Sequence, residues 1–279
     1  MKLTIALATR RRPGILVRTV KSTLANVTHP DTKLVILADA DDDGTLSVRD
    51  TLNDPRIIWS VEPRPDSVGK KYNRAVKVAP ADVYMVHVDY APQMTKGFDE
   101  KVLEAATVYP DGYAIILGHL ANLSFSSINA VTHKMTEKLG GIYPEYFPYW
   151  FVDHWLEDLA KRIGRQVFVD CVVDCSNKQP TICHAEPYFW GCLFDWLHLE
   201  RHKIAEGIIN AMDFDETPAR KRALLRNQTL VDEWSFIINA TLQNDPGADL
   251  PDDDWYRDIR ARAVAIMEKY QAEHKKAAA

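Results

Sequence analysis

The sequence LTIALATRRRP at residues 3–13 joins an apolar run to three arginines and a proline. The run Leu3–Ala8 carries no charge, which is typical of a strand that is buried on both faces of a sheet. Pro13 suits the first turn of a helix, because the N–H that it lacks is not needed there. One apolar face of that helix is marked by Leu16, Val20 and Leu24. This stretch therefore predicts a buried strand, a basic turn and a helix in direct succession.

The alternation of strand and helix continues along most of the chain. Further strands are predicted at Lys33–Ala38, Arg56–Val61, Asp82–Asp89, Tyr113–Leu117, Ile128–Thr132 and Val167–Val173. Helices are predicted at Val68–Val78, Gly97–Val108 and Met135–Leu139, and from Asp153 to the stop at Gly164. Strands that alternate with helices form a mainly parallel sheet with helices on both faces, so the expected fold class is α/β. From about residue 198 the chain becomes helical and charged.

Composition limits the classes of protein to which the chain can belong. It has 279 residues, of which 46% are hydrophobic and 26% charged, so it can bury a core and is not a disordered chain. Its net charge of −5 argues against a polybasic surface for nucleic acid or anionic membranes. No apolar run reaches the roughly 18 residues of a spanning helix, and the three arginines that follow the first short apolar stretch are the reverse of a secretory signal. We therefore expect no transmembrane segment and a cytoplasmic location.

The four cysteines lie between Cys171 and Cys192 and lack CxxC spacing. This arrangement favours reduced, packed thiols. A zinc site that combines some of them with His184 is the alternative.

Three polar segments follow three of the predicted strands. Residues 9–12 follow the first strand, residues 39–43 follow the second, and Asp89 ends the fourth. Because ligands of open α/β sheets bind beyond the carboxyl ends of the strands, we expect these segments to share one site.

The residue types in these segments suit a nucleotide. Arg10, Arg11 and Arg12 beside a helix N-terminus supply the charged donors that a diphosphate requires. Asp39 can accept hydrogen bonds from a nucleobase or ribose. His87 and Asp89, at i and i+2, can hold a divalent ion whose shell a diphosphate completes. Each signal also has a purely structural interpretation, as a solvated basic turn or a turn-forming acid.

Other candidate residues lie outside these segments. Asp153 follows an aromatic run and precedes a helix, where it can act as a general base or simply cap the helix. His184 can be a remote metal ligand or a buried, hydrogen-bonded histidine. Trp150 and Trp190 can stack on an acceptor or belong to the core. The stretch Gly69-Lys-Lys-Tyr-Asn73 has neither Walker nor dinucleotide-binding spacing, which argues against ATP hydrolysis and hydride transfer.

Taken in order, the segments resemble the family-2-like glycosyltransferases of the GT-A fold, which transfer a sugar from a nucleotide-sugar to a hydroxyl or similar acceptor. The resemblance spans about residues 3–190. It is carried by Ala8-Thr9-Arg10, Leu37-Ala-Asp39, Gly69-Lys-Lys-Tyr-Asn73, His87-Val-Asp89, Glu137-Lys-Leu-Gly-Gly141, Pro144-Glu-Tyr-Phe147, and Asp153-His-Trp-Leu156 through Gly164. It implies a Rossmann-like, mainly parallel mixed sheet flanked by helices over residues 1–197. A helical C-terminal extension over residues 198–279 is expected to pack on that domain.

The resemblance also implies roles for single residues. The nucleotide-sugar, with a UDP-sugar expected, would be bound by Thr9, Arg10, Arg12, Asp39, Lys70, Lys71, Asn73 and His87. Asp89 matches the metal-binding carboxylate of the D-x-D motif, His184 a histidine that completes the metal shell, and Asp153 the base of inverting members. His87 departs from the motif, since an acidic residue is usual there. Mn²⁺ is therefore the expected metal, with Mg²⁺ less favoured.

The acceptor stays open between a glycan, a small molecule, a lipid-linked sugar and, less favoured, a modified base in DNA. The acceptor would stack on Trp150 and Trp190, and the basic segment Arg220–Arg226 would serve only a DNA acceptor. A hexosyl- and a pentosyltransferase are both compatible, and the oligomeric state is open. Two other functions remain: a non-catalytic nucleotide-sugar-binding module with a degenerate D-x-D motif, and a nucleotidyltransferase. The second usually has a Gly-rich first loop, which Thr9–Arg12 lacks.

Overall fold

A seven-stranded mixed sheet runs through the protein. A computed structural model describes residues 1–118, 128–174, 187–214 and 217–226, with positions 265, 268 and 272. The strands are β1 (Leu3–Ala8), β2 (Lys33–Asp39), β3 (Ile57–Glu62), β4 (Val83–Val88), β5 (Ile115–Gly118), β6 (Ile128–Thr132) and β7 (Gln166–Val169). The helices are α1 (Pro13–Asn26), α2 (Asp43–Leu46), α3 (Val68–Val78), α4 (Phe98–Ala106), α5 (His133–Leu139), α6 (Val152–Ile163), α7 (Pro187–Trp196), α8 (His198–Ala211) and α9 (Pro218–Arg226), with a 3₁₀ turn at Asp50–Leu52.

The strand order is β3-β2-β1-β4-β6-β5-β7. Strands β1 to β4 pair in parallel, as do β5 and β7, whereas β6 runs antiparallel to both β4 and β5. The α/β class and the mainly parallel mixed sheet predicted from the sequence are therefore confirmed. The parallel strands β1, β2 and β4 end side by side, because Ala8 is in register with both Leu37 and Val88.

Both faces of the sheet are covered by helices, which explains the uncharged run of β1. Ile5 belongs to a core cluster that includes Leu16 of α1 and Phe98 of α4. Ala6 belongs to the opposite cluster, which includes Trp155 of α6. Successive residues of a strand point to opposite faces, so a central parallel strand needs apolar side chains at every position.

The predicted element boundaries are confirmed at Leu3–Ala8, Val68–Val78 and Ile128–Thr132, and most of the others shift by one or two residues. The last strand ends at Val169, not Val173. The interpretation of Asp153 as the cap of α6 is wrong, because the N-cap is Phe151, with φ 69°, and Asp153 lies in the first turn.

The cysteine predictions are tested at one position. Cys171 is buried and its thiol is free, as expected. The zinc alternative involves Cys175, Cys183 and His184, which lie outside the described residues, as does the side chain of Cys192.

The helix α8 packs on the sheet domain through a buried charge cluster. Asp158 Oδ2 of α6 accepts hydrogen bonds from Nε of Arg162 and from Nε of Arg201 of α8, each at 2.6 Å. Ile208 and Ile209 of α8 are buried in the same core cluster as α6. The described start of the C-terminal segment is thus packed on the sheet domain, while the division at residue 197 stays a prediction. Within the described chain, no helix combines the length and hydropathy of a membrane span.

Candidate active site

The segments that follow β1, β2 and β4 meet at one edge of the sheet, as the sequence predicts. Thr9 Oγ1 donates a hydrogen bond to Asp89 Oδ2 at 2.9 Å. Arg10 Nη1 donates to Asp39 Oδ2 at 3.0 Å. Residues distant in sequence therefore form one polar rim, defined here by Thr9, Arg10, Arg12, Asp39, Lys71 and Asp89.

Arg10 connects the rim to the acidic turn after β2. Its guanidinium donates to both carboxylate oxygens of Asp41, at 2.7 and 2.9 Å, besides its bond to Asp39. The hydrogen bond from Arg10 lowers the pKa of Asp41 to about 2. Asp41 is 59% exposed, whereas Asp39 is 1% exposed, so Arg10 pairs with one carboxylate in water and with one in the protein interior.

Lys71 is the buried cation of the rim. Helix α3 places its Nζ 2.8 Å from Asp39 Oδ1, and Nζ also donates to the carbonyl oxygen of Thr9 at 2.9 Å. Burial lowers the pKa of Lys71, and the hydrogen bond with Asp39 opposes that effect. A buried ammonium in such a pair fixes the position of positive charge beside the strand ends.

Asp89 is held by two donors. Arg12 Nη1 donates to Asp89 Oδ1 at 3.2 Å, and Thr9 holds the other oxygen. The Arg12 guanidinium also lies 5.9 Å from the ring centre of Tyr90. Burial raises the pKa of Asp89, and the charge of Arg12 opposes that effect.

His87 is not brought to the rim. It is fully buried, and its Nε2 lies 3.1 Å from Thr23 Oγ1 of α1. Burial lowers the pKa of His87 to about 4, so the ring is neutral at pH 7. His184 lies outside the described residues.

Among the described residues no three His, Cys, Asp or Glu side chains cluster as a metal site. Asp89 offers a carboxylate beside Arg12, where the donor diphosphate is expected. One carboxylate at this position is compatible with a hard divalent ion whose other ligands would be diphosphate oxygens and water.

Arg74 also lies beside the rim, although no motif in the sequence predicts it there. It is 8% exposed, and its Nη2 lies 3.9 Å from Asp39 Oδ1, while its Nε lies 3.5 Å from Glu62 Oε2. Neither terminal nitrogen has a hydrogen-bond partner within the described chain. The i, i+3 spacing of Lys71 and Arg74 places both cations on one face of α3.

Lys70 and Asn73 lie on α3 but make other contacts. Lys70 pairs with Asp66 at 3.0 Å on the helix surface. Asn73 Oδ1 accepts from the backbone N–H groups of Ile142 and Tyr143, at 2.7 and 3.1 Å. Its Nδ2 donates to the Tyr143 carbonyl oxygen at 3.0 Å. Asn73 therefore holds the loop that leads towards α6.

Asp153 lies in the first turn of α6 with 22% of its side chain exposed. The rings of Tyr72 and Tyr143 meet edge to face at 5.4 Å. Burial and the nearby charge of Asp153 raise the pKa of Tyr143. Burial likewise raises the pKa of Tyr72, and the charge of Asp89 adds to it. The charge of Asp153 thus acts on Tyr143, and the charge of Asp89 acts on Tyr72.

The two predicted acceptor tryptophans differ in their surroundings. Trp150 is 39% exposed and contacts the ring of Tyr149 edge to face at 5.3 Å. Trp190 of α7 is half-buried and packs against the core.

Parallel strands β1 to β4, an antiparallel β6 and polar groups at the carboxyl strand ends define an α/β protein of the GT-A class. Residues 4–140 match the family model described as Glycosyl transferase family 2. Residues 4–140 therefore belong to a family-2-like glycosyltransferase domain, and the chain has the GT-A fold.

Solved structures share this fold at low identity. S. aureus TarS 1-349 in complex with UDP-GlcNAc is 13% identical, with a TM-score of 0.62, and the match covers 95% of this chain and 81% of that one. The mannosyltransferase PcManGT from Pyrobaculum calidifontis, in complex with GDP-Man and Mn²⁺, is 14% identical, with a TM-score of 0.53 and coverage of 97% and 79%. No curated protein matches the sequence.

Proposed function

We propose that this chain is an inverting glycosyltransferase that moves a sugar from a nucleoside-diphosphate sugar, with a UDP-sugar expected, to an acceptor hydroxyl. The observation that carries the proposal is the convergence of Arg10, Arg12 and Lys71 at the carboxyl ends of β1, β2 and β4. The structural relatives TarS and PcManGT, bound to UDP-GlcNAc and to GDP-Man, support the same donor class.

The proposed donor site has a base end and a diphosphate end. Asp39 accepts an N–H of the base or a ribose hydroxyl, and the terminal nitrogens of Arg74 donate to carbonyl oxygens of the base. Arg10, Arg12 and Lys71 bind the diphosphate through charge-assisted hydrogen bonds. His87 acts indirectly in this scheme, because it is enclosed beneath α1.

Asp89 is the proposed protein ligand of a divalent ion, Mn²⁺ or Mg²⁺. A bound ion would supply positive charge beside the leaving diphosphate. PcManGT, which was solved with Mn²⁺, supports this use of a metal.

Asp153 is the proposed general base. It takes the proton of the acceptor hydroxyl as the acceptor oxygen forms a bond to C1 of the sugar. The bond from C1 to the β-phosphate oxygen breaks, and its electron pair leaves with the nucleoside diphosphate. Attack from the face opposite the leaving group inverts the anomeric centre. Fixed cations stabilise the charge that develops on the diphosphate more in the transition state than in the ground state.

Other details stay predictions. They include the choice between a hexosyl and a pentosyl donor, the acceptor with its contacts to Trp150 and Trp190, the oligomeric state and a cytoplasmic location.

The proposal is tested with a panel of nucleotide-sugars incubated with and without Mn²⁺. Release of sugar and nucleoside diphosphate supports a transferase, pyrophosphate release would indicate a nucleotidyltransferase, and binding without turnover a non-catalytic module. General-base catalysis contributes about 10²–10⁴-fold, so Asp153→Asn should abolish detectable turnover and keep UDP binding. Wild-type turnover by Asp153→Asn would refute the assigned base.

A further inference from the structure

One oxygen of the proposed base is held by the residue that follows it. The backbone N–H of His154 donates to Asp153 Oδ1 at 2.9 Å, and the ring Nδ1 of His154 lies 2.9 Å from the same oxygen. A carboxylate only accepts hydrogen bonds, so the imidazole must carry its hydrogen on Nδ1 to bond there. Both contacts use Oδ1, which leaves Oδ2 as the oxygen that can face an acceptor.

The imidazole ring is itself held in place by aromatic neighbours. The ring of Phe151 lies 5.5 Å from it, and the ring of Phe194 of α7 lies 6.5 Å from it. Phe151 adopts the left-handed conformation, which is costly for a bulky residue and persists only where the surroundings enforce it. The orientation of His154 is therefore set by packing, and through it the orientation of the carboxylate.

We propose that His154 is the positioning residue of the general base: its imidazole fixes the rotamer of Asp153 and, by its charge state, sets how strongly that carboxylate takes a proton. This inference rests on the proposed role of Asp153. His154 itself touches neither donor nor acceptor in this scheme. A misplaced catalytic group can lower the rate by up to about 10²-fold. We therefore expect loss of the His154 imidazole to lower turnover and to leave donor binding unchanged.

Three charged groups of α6 act on His154. Burial lowers the pKa of His154, but the hydrogen bond and charge of Asp153, together with the charge of Glu157, raise it to a net value above the usual 6.5, while Lys161 opposes them. The segments next to α6 contribute the aromatic rings of Phe151 and Phe194, which contact the His154 ring.

The sign of the pH effect follows from these charges. A cationic imidazole forms an ion pair with the Asp153 carboxylate and competes with the acceptor proton for its negative charge. Turnover should therefore rise with pH as His154 loses its proton, above pH 6.5.

Three variants test the proposal by donor hydrolysis, with water as acceptor, and by UDP binding. His154→Leu removes the ring donor and should lower kcat by roughly tenfold to 10²-fold at unchanged KM for the donor. His154→Asn, whose amide nitrogen replaces Nδ1, should restore most of that turnover but lose the pH-dependent rise. The matched control is His133→Asn, because His133 also pairs with a carboxylate, Glu137, at 3.7 Å on α5. It should keep the wild-type pH profile.

A second readout needs no turnover. The pKa of His154 is measured by NMR titration of its ring protons in the wild type and in Asp153→Asn, and it should fall in the variant. An unchanged pKa would overturn the proposal, whether or not any donor in the panel is turned over. If no nucleotide-sugar in the panel is turned over, the proposed function fails. If Asp153→Asn retains turnover, Asp153 is not the base and the role of His154 fails with it. If Asp153→Asn is inactive and His154→Leu keeps the wild-type rate and pH profile, only the role of His154 fails.

Discussion

The substitution Asp158→Asn should strongly destabilise the protein without opening a cavity, because asparagine has nearly the same shape as aspartate. Asp158 is almost fully buried, and one of its oxygens accepts from both Arg162 and Arg201, whose side chains are fully buried. Arg201 also donates to the Phe194 carbonyl oxygen at 2.6 Å and lies 3.8 Å from the ring centre of Phe194. The variant removes the carboxylate charge that both buried guanidinium groups share.

The expected cost follows from the burial of that cluster. Removing one partner of a buried ion pair costs about 3–5 kcal/mol, since the remaining charge stays desolvated. For a domain of this size, this loss corresponds to a fall in Tm of roughly 10 °C. Urea titration gives the free energy of unfolding, and calorimetry gives Tm.

The matched control is Glu157→Gln on the same helix. Glu157 pairs with Lys161 at 2.9 Å, and Lys161 is 52% exposed, so the loss should stay below about 1 kcal/mol. If Asp158→Asn were as stable as Glu157→Gln, the argument that α8 is joined to α6 through buried charge would be wrong. If Asp158→Asn instead split unfolding into two transitions, the C-terminal helices would have separated from the sheet domain.

Two further substitutions test the donor site and the packing of α3. Arg74→Met keeps the aliphatic volume but removes a buried charged donor worth about 1.5–3 kcal/mol, so the affinity for UDP measured by calorimetry should fall at least about tenfold. The control is Arg64→Met at an exposed position, which should bind UDP as the wild type does, and equal affinities of the two variants would remove Arg74 from the site. Gly69→Ala places a Cβ 2.0 Å from the Pro144 carbonyl oxygen and should lower the free energy of unfolding by about 1–3 kcal/mol. The control, Gly14→Ala, has no neighbour within 4 Å and should be neutral or stabilising. Equal melting temperatures of the two variants would contradict the tight contact between α3 and the loop that contains Pro144.

The sheet and the rim could be predicted from sequence because each depends on a strong local signal. A central parallel strand must be apolar on both faces, as Leu3–Ala8 is, and its carboxyl end is where polar residues gather. The rim contacts of Thr9, Arg10 and Asp39 follow from that rule alone.

The misses depend on tertiary geometry. The i, i+2 spacing predicts that His87 and Asp89 share a face, but β4 ends at Val88, so Asp89 has left the pleat. Aspartate is a common N-cap, so the sequence predicts that α6 starts at Asp153, whereas in the structure the N-cap is Phe151 and the helix starts upstream. Arg74 was missed because only the packing of α3 across the ends of β2 and β3 brings it to Asp39.

The charges of the rim determine how a diphosphate can enter. In the free protein Arg10, Arg12 and Lys71 each pair with a carboxylate, so a diphosphate that binds to these cations has to compete with the carboxylates. The pair of Lys71 with Asp39 is buried and expensive to break, whereas Arg10 holds Asp41 in water, where a salt bridge contributes little. Arg10 is therefore expected to leave Asp41 for the phosphates, while Lys71 keeps Asp39 and the Thr9 carbonyl oxygen and donates its third N–H to the diphosphate. Asp41→Asn should then keep or increase UDP affinity in calorimetry, and a clear loss of affinity would show that this exchange does not occur.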